Sequence, residues 1–224
     1  MKTLWLSYPL SATAPRPPAI PAPALSEFMS IEKDGANVQF LQCYNHTGTH
    51  LDTAAHVLEG GAYITDFTPQ ELIYDKIMVI DLGHLPDDTV IAPEHLEDLI
   101  PEDSEVQALV VRFGVEGRRK EQPELFSKHC PGFGIPAAEW IHKRLPALRM
   151  IGTDVPSISC IAHLEETMLS HNAFFEKAST PHFIVIEEMK LDCSLEGLKK
   201  ITVSPWLVDG MNSGPCVIWA EFDL

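Results

Sequence analysis

The sequence predicts an α/β fold: a single domain over residues 1–224 in which a mixed β-sheet is flanked by short helices. Three observations lead there. KIMVIDLG and VQALVVRFG are nearly continuous apolar runs, as expected of strands covered on both faces. Helical patterns such as PAAEWIHKRL are interleaved with them. Several connections are too short for a crossover helix, so some neighbouring strands must run antiparallel. A chain of 224 residues that is 45% hydrophobic and 21% charged has the material for one substantial core.

From the N-terminus, TLWLSYPLS opens as a strand. The following APRPPAIPAPALS holds too many prolines for a helix or a central strand, and reads as an ordered extended segment lying over the domain. NVQFLQCY is a strand that delivers the chain into a histidine-rich stretch. TPQELIYD starts a short helix on Thr-Pro, KIMVIDLG is a buried strand, APEHLEDLI a second short helix and VQALVVRFG a second buried strand. VEGRRKEQPELFSKHCPGFG reads as a long polar loop. In PAAEWIHKRL, Pro136 stands in the first turn, basic residues gather at the end, and Ala138, Ile141 and Leu145 recur at helical spacing. RMIGTD resembles a strand running into a turn. LEETMLSHNAFFEKA is a helix with an apolar stripe of Leu164, Met168 and Phe175 and with His171 beside it. HFIVIEEMKL and GPCVIWAEF are the final strands, and no internal repeat is present.

Composition excludes some partners. A net charge of −16 is the wrong sign for a phosphate backbone or an anionic membrane surface. No apolar run approaches the ~20 residues that span a bilayer. The five cysteines are scattered without C-x-x-C spacing, which disfavours a disulfide framework and a thiolate metal site and predicts a cytoplasmic protein. The expected partner is a small molecule.

One stretch stands out. NHTGTHLDTAAHV, Asn45 to Val57, holds three of the ten histidines and one aspartate. Fully extended, His46, His50 and Asp52 would share one side, but the His46 and His50 α-carbons would lie roughly 13 Å apart, near the combined reach of two imidazoles. A helical turn would bring the histidines together and swing Asp52 away. A bend at Gly48 satisfies all three, because glycine tolerates backbone conformations other residues avoid. Two imidazoles and a carboxylate suit zinc, manganese or iron and leave coordination positions open for water and substrate. His56, just beyond, has the ordinary pKa of a proton shuttle near neutrality and is the candidate general acid/base.

HTGTHLDTAAH resembles the H-x-G-T-H-x-D-x-P-x-H signature of the cyclase family of metal-dependent hydrolases, which includes bacterial kynurenine formamidase and isatin hydrolase. LSYPLS, HVLEGGAYITDF, GFGIPAAEWI and IGTDVPSIS follow the family's order across most of the chain. The resemblance implies the swivelling β/α fold of that family. It also implies that His46, His50 and Asp52 hold one divalent ion, zinc before manganese, and that Asp52 bridges to a second ion held by His171 and Glu187. SHNAFFEKASTPHFIVIEEM carries those last two matches; Glu188 stands next to Glu187, and His163 and His182 are nearby alternatives. Ala54 replaces the signature's proline, and Phe113 stands where a threonine is common.

The resemblance further implies an amidohydrolase acting on an N-formyl, lactam or ester bond of a small aromatic metabolite, and a homo-oligomer, dimer or tetramer. Tyr63, Phe67, Phe133 and Trp206 are candidates to stack on an aromatic ring. The contrasting reading is a non-catalytic metal-binding protein in which the ion stabilises the 46–56 loop.

Overall fold

The computed structural model describes residues 2–16 and 19–223. In chain order the strands and helices are β1 (Lys2–Trp5), β2 (Ala24–Met29), α1 (Ile31–Asp34), β3 (Val38–Gln42), β4 (His50–Asp52), β5 (Ile73–Tyr74), β6 (Ile77–Asp81), β7 (Val90–Ile91), β8 (Ala108–Arg112), α2 (Glu116–Glu121), α3 (Pro123–Lys128), β9 (Gly132–Phe133), α4 (Ile135–Arg144), β10 (Met150–Thr153), α5 (Leu164–Glu176), β11 (Ile184–Glu187), β12 (Leu198–Pro205) and β13 (Ser213–Phe222). Nine strands form one mixed sheet in the order β5-β12-β13-β4-β11-β10-β8-β6, with β1 also paired to β13. No helix among the described residues is long and apolar enough to cross a membrane.

The sheet has two halves. β6, β8, β10 and β11 run parallel, and α4 and α5 lie in the connections that lead into β10 and β11. β4, β13, β12, β5 and β1 are joined by antiparallel pairings. β4 lies at the seam, antiparallel to both β11 and β13.

Alternation along β8 explains the continuous apolar run. Leu109 and Val111 enter the core under the helices, whereas Ala108 and Val110 enter the core on the opposite face. Burying a side chain of this size contributes roughly 1.5–3 kcal/mol. The helix-side core takes Ala137, Ala138 and Ile141 from α4 and Ala173, Phe174 and Phe175 from α5. The opposite core takes Leu6, Tyr74, Ile201, Val203, Ile218 and Phe222.

Several sequence expectations are corrected. The supposed polar loop after β8 folds into α2 and α3. Pro123 starts α3, and Phe126 is fully buried in the core, an anchor that polar composition hid. TPQELIYD and APEHLEDLI hold only short 3-10 turns, at Pro69–Leu72 and Pro93–His95. On α5, Leu164 and Met168 are exposed, and the buried side is Ser170, His171, Ala173, Phe174 and Phe175. β12 and β2 were not anticipated; ITVS in β12 carries a period-2 signal too short to stand out beside two lysines.

NVQFLQCY does not join the main sheet. Among the described residues β3 pairs only with β2, as a hairpin whose strand residues are almost all exposed. In the proline-rich segment Ala14, Pro15 and Pro23 are buried, so parts of it do lie against the body, while Pro17 and Pro18 fall outside the described residues.

Candidate metal centre

Strand alternation and register assemble the centre. His50 and Asp52 are two residues apart on β4 and share one face. Glu187 sits directly across from His50, and Val185 across from Asp52, so Glu187 projects onto that same face, the side of the helix-side core. α5 packs over this face and lowers His171 onto it from its buried side. His46 approaches through the bend the sequence required: Gly48 adopts φ 65°, in the left-handed region.

The resulting distances are short. Asp52 Oδ1 lies 3.2 Å from His46 Nδ1 and 3.8 Å from His50 Nε2. Glu187 Oε2 lies 3.2 Å from His50 Nε2. His171 Nε2 lies 3.4 Å from Asp52 Oδ2 and 3.3 Å from Glu187 Oε1. Each carboxylate therefore faces His50 with one oxygen and His171 with the other. His56 packs beside this set, its ring centroid 4.4 Å from that of His46 and 5.5 Å, edge to face, from that of His171. His50, Asp52, His171 and Glu187 are buried, whereas His46 and His56 are half-buried and form the open side.

The surrounding groups orient these donors. The Gly48 carbonyl can only accept, so the 2.8 Å contact to His50 Nδ1 makes that nitrogen the donor and turns Nε2 toward the carboxylates. His171 Nδ1 is held by Ser159 Oγ at 3.0 Å. The Ile158 N–H donates to Glu187 Oε1 at 2.7 Å. Asp154, in the family-like turn after β10, accepts from the N–H groups of Phe113, Gly114 and Val115 and pins the chain leaving β8. Burial nevertheless raises its pKa to about 6.

Electrostatics inside the cluster are strong. Burial disfavours a charged His50 ring, but Glu187 and Asp52 outweigh it and raise its pKa to about 9. For His171, burial is likewise outweighed by Asp52 and Glu187, which raise it to about 10. Burial also opposes ionisation of the carboxylates, yet His171 and His46 hold Asp52 well below its usual range, and His171 and His50 lower Glu187 to about 2. His56 differs: burial lowers its pKa, against the pull of Asp52, and favours the neutral ring.

The donor set fits a divalent cation. Donor atoms of His46, Asp52 and His56, and of His50, Asp52 and Glu187, lie within 4.8 Å of one another in each group. Ligands about 2.1 Å from a tetrahedral ion stand ~3.4 Å apart, close to the observed spacings. His50 Nε2 and Asp52 Oδ1 are buried and lack hydrogen-bond partners, although they face each other. Two imidazoles and two carboxylates crowded at 3.2–3.8 Å in a buried pocket without well-formed hydrogen bonds is a costly arrangement that a cation among them would relieve.

All six sequence candidates, His46, His50, Asp52, His56, His171 and Glu187, come together in this one cluster. Glu188 does not; it turns away and pairs with Arg119. His182 pairs with Glu71, and His163 is exposed. Of the proposed stacking aromatics, Phe67 and Phe133 are core residues, as is Phe113, while Tyr63 and Trp206 remain accessible. His142, outside the cluster, is buried and bonded through Nε2 to the Phe174 carbonyl at 2.8 Å. Ser213 was missed: it pairs with Asp52 across β13 and shares its face. Only sheet register could have shown that.

Residues 4–159 match the family model described as putative cyclase. A kynurenine formamidase of Bacillus cereus is 26% identical over 185 residues, covering 82% of this chain and 79% of that protein. Cyclase-like protein 2 of Arabidopsis thaliana is 25% identical over 189 residues, covering 82% of this chain and 65% of that one. Among solved structures, isatin hydrolase A from Ralstonia solanacearum superposes with a TM-score of 0.79 at 16% identity, covering 99% of this chain and 92% of its own. An isatin hydrolase bound to the product analogue thioisatinate gives 0.82 at 14% identity, over 99% and 93%. At those identities the structural likenesses speak to the fold.

Proposed function

The chain belongs to the putative cyclase family, and on that basis we propose that it is a metal-dependent hydrolase that opens an amide, lactam or ester bond in a small aromatic metabolite. The observation that carries this reading is the convergence of buried donors, His50 Nε2 and Asp52 Oδ1 without well-formed hydrogen bonds of their own, among further imidazoles and a second carboxylate. His46, His50 and Asp52 would hold one ion, zinc first and manganese second. Asp52, His171 and Glu187 would hold another where two are bound. Such an ion supplies Lewis-acid activation of water and of the scissile carbonyl.

The remaining chemistry belongs to the chain. His56 is half-buried on the open side, and burial keeps its ring neutral, so a nitrogen lone pair is free to accept a proton. As water attacks the carbonyl carbon, its proton passes to His56. As the carbon–nitrogen bond breaks, the same proton goes to the leaving nitrogen, and the ring returns to its starting state. The kynurenine formamidase and isatin hydrolase relatives support N-formyl aryl amides and aromatic lactams as the substrate class.

Self-association through the β2–β3 hairpin belongs to the same reading. Leu25, Phe28, Ile31, Val38, Phe40 and Leu41 are 40–74% exposed there. An isolated two-stranded hairpin is marginally stable in water. Leu25 and Leu41 share one face of the hairpin and Val38 and Phe40 the other, so it presents an exposed apolar surface on both sides. A second copy would cover it symmetrically. The scattered cysteines, without C-x-x-C spacing, fit a cytoplasmic setting.

Elemental analysis of the purified protein, followed by a hydrolysis screen over N-formyl aryl amides, lactams and lactones, tests the assignment. Bound divalent metal with chelator-sensitive turnover is expected. Turnover that survives complete metal removal overturns it.

A further inference from the structure

Glu187 and Glu188 are neighbours in sequence with opposite surroundings. Glu187 ends β11 and faces the donor cluster, whereas Glu188 takes φ 56°, a left-handed conformation that a residue with a β-carbon seldom adopts. Contacts elsewhere must hold it there. Its N–H donates to the Val155 carbonyl at 2.8 Å. Its carboxylate is buried and accepts from Arg119 through both Nε, at 2.9 Å, and Nη2. The Arg119 guanidinium in turn lies flat against Tyr8, 3.6 Å from the ring centroid.

These contacts close into a ring. The Tyr8 N–H donates to Thr49 Oγ1 at 3.0 Å, and the Thr49 hydroxyl donates to the Glu188 carbonyl at 2.6 Å. Thr49 lies between Gly48 and His50; Glu188 follows Glu187. The ring therefore grips the main chain beside two donors that sit opposite each other in register on different strands, His50 and Glu187. Their side chains meet at 3.2 Å on the other face of the sheet.

We propose that Glu188, Arg119 and Tyr8 are positioning residues: a clamp that sets the spacing of the His50 and Glu187 donors, and through it the affinity and geometry of the cation site, without touching the ion. The inference rests on the metal-site reading above. Packing alone would ask only that α2 be anchored to the body. Arg118, one residue earlier, already contributes such an anchor through Asp87 and the His129 carbonyl. Arg119 instead reaches the turn that carries a donor.

The test uses Co²⁺ as a probe on the full chain, stripped of metal. Affinity is read by competition with a chelator of known strength, and donor geometry by the visible ligand-field bands. Glu188→Gln and Arg119→Lys keep shape or charge but weaken the two-pronged contact, with folding checked by circular dichroism and thermal melting. Each is expected to bind Co²⁺ about tenfold or more weakly and with altered bands, as changes behind a ligand do. Arg118→Lys, on the same helix, should keep wild-type affinity and bands.

Folded Glu188→Gln and Arg119→Lys proteins with wild-type affinity and bands would overturn the clamp, as would an equal loss in Arg118→Lys. Should both ion-pair variants fail to fold, Tyr8→Leu, which removes only the stacking face, decides the matter by the same readouts. Failure of the wild-type protein to bind Co²⁺ at all would instead remove the metal site itself, and the clamp with it.

Discussion

Loading the metal-free protein with a divalent cation is expected to raise its unfolding midpoint by an amount that follows from the site. His50 Nε2 and Asp52 Oδ1 are buried 3.8 Å apart without well-formed hydrogen bonds. Only the folded chain presents them together with Glu187. A ligand that binds only the native state adds RT ln(1 + [L]/Kd), ~2.7 kcal/mol at a free concentration one hundred times Kd. In a chain of 224 residues each kcal/mol moves the midpoint by roughly 2–4 °C, so the expected rise is roughly 5–11 °C. Each further tenfold in free metal adds ~1.4 kcal/mol, or roughly 3–6 °C more.

Scanning calorimetry of chelator-stripped protein in metal buffers at fixed pH measures this. Mn²⁺ should be run beside Zn²⁺, because the cysteine thiols exposed on unfolding bind zinc and blunt its effect. His50→Ala should abolish the shift. A wild-type midpoint that stays fixed from micromolar to millimolar in both metals would rule out an ion between these donors and leave the cluster as a network of ion pairs.

Four further outcomes are expected. His56→Ala should retain metal by elemental analysis while turnover of a responsive substrate falls by roughly 10²-fold or more; unchanged turnover would remove His56 from proton transfer. Gly48→Ala should lose about 1–2 kcal/mol in urea denaturation, since an added β-carbon meets only Leu10 at an ordinary 3.7 Å and the loss comes from holding φ 65°; an unchanged midpoint would show that the bend tolerates a side chain. His142, whose burial lowers its pKa to about 4, takes a proton in the unfolded chain below pH ~6.5 but in the folded one only near 4, so its contribution is present above ~6.5 and is lost on acidification, by about 3 kcal/mol. Denaturation curves from pH 7 to 4 should flatten accordingly in His142→Gln, and parallel curves for the two proteins would contradict the assignment. The wild-type protein is expected above monomer mass in light scattering and Phe28→Ser combined with Phe40→Ser at monomer mass; a monomeric wild type would refute the proposed self-association, and a double variant that stays above monomer mass would refute its placement at the hairpin.

Local pattern made much of the fold legible. The apolar runs became strands β6 and β8 and the Pro136 helix became α4, because both rest on short-range periodicity and capping. But KIMVIDLG, expected to be buried on both faces, is the edge strand with Val79 exposed, since a strand's place in the sheet is set by long-range pairing. The bend at Gly48 was also accessible, since three donors within seven residues cannot converge on either regular backbone. The loop after β8 was misread because α2 and α3 are largely solvated helices held by a few buried anchors such as Phe126, and composition alone cannot see an anchor. NVQFLQCY was a strand, as expected, but its placement in a hairpin off the main sheet has no local signature.

The donor types, their order along the 46–56 loop and the α/β class could all be read from the order of residues, because they depend on side-chain chemistry and spacing within a few positions. Which glutamate faces the cluster, where Ser213 lies, and how Arg119 and Tyr8 come to grip the neighbouring turn emerged only once the chain was folded. His171 and Asp52 stand 119 positions apart. Their meeting depends on how α5 packs over the seam between β11 and β4, a long-range registry that no short window of residues encodes.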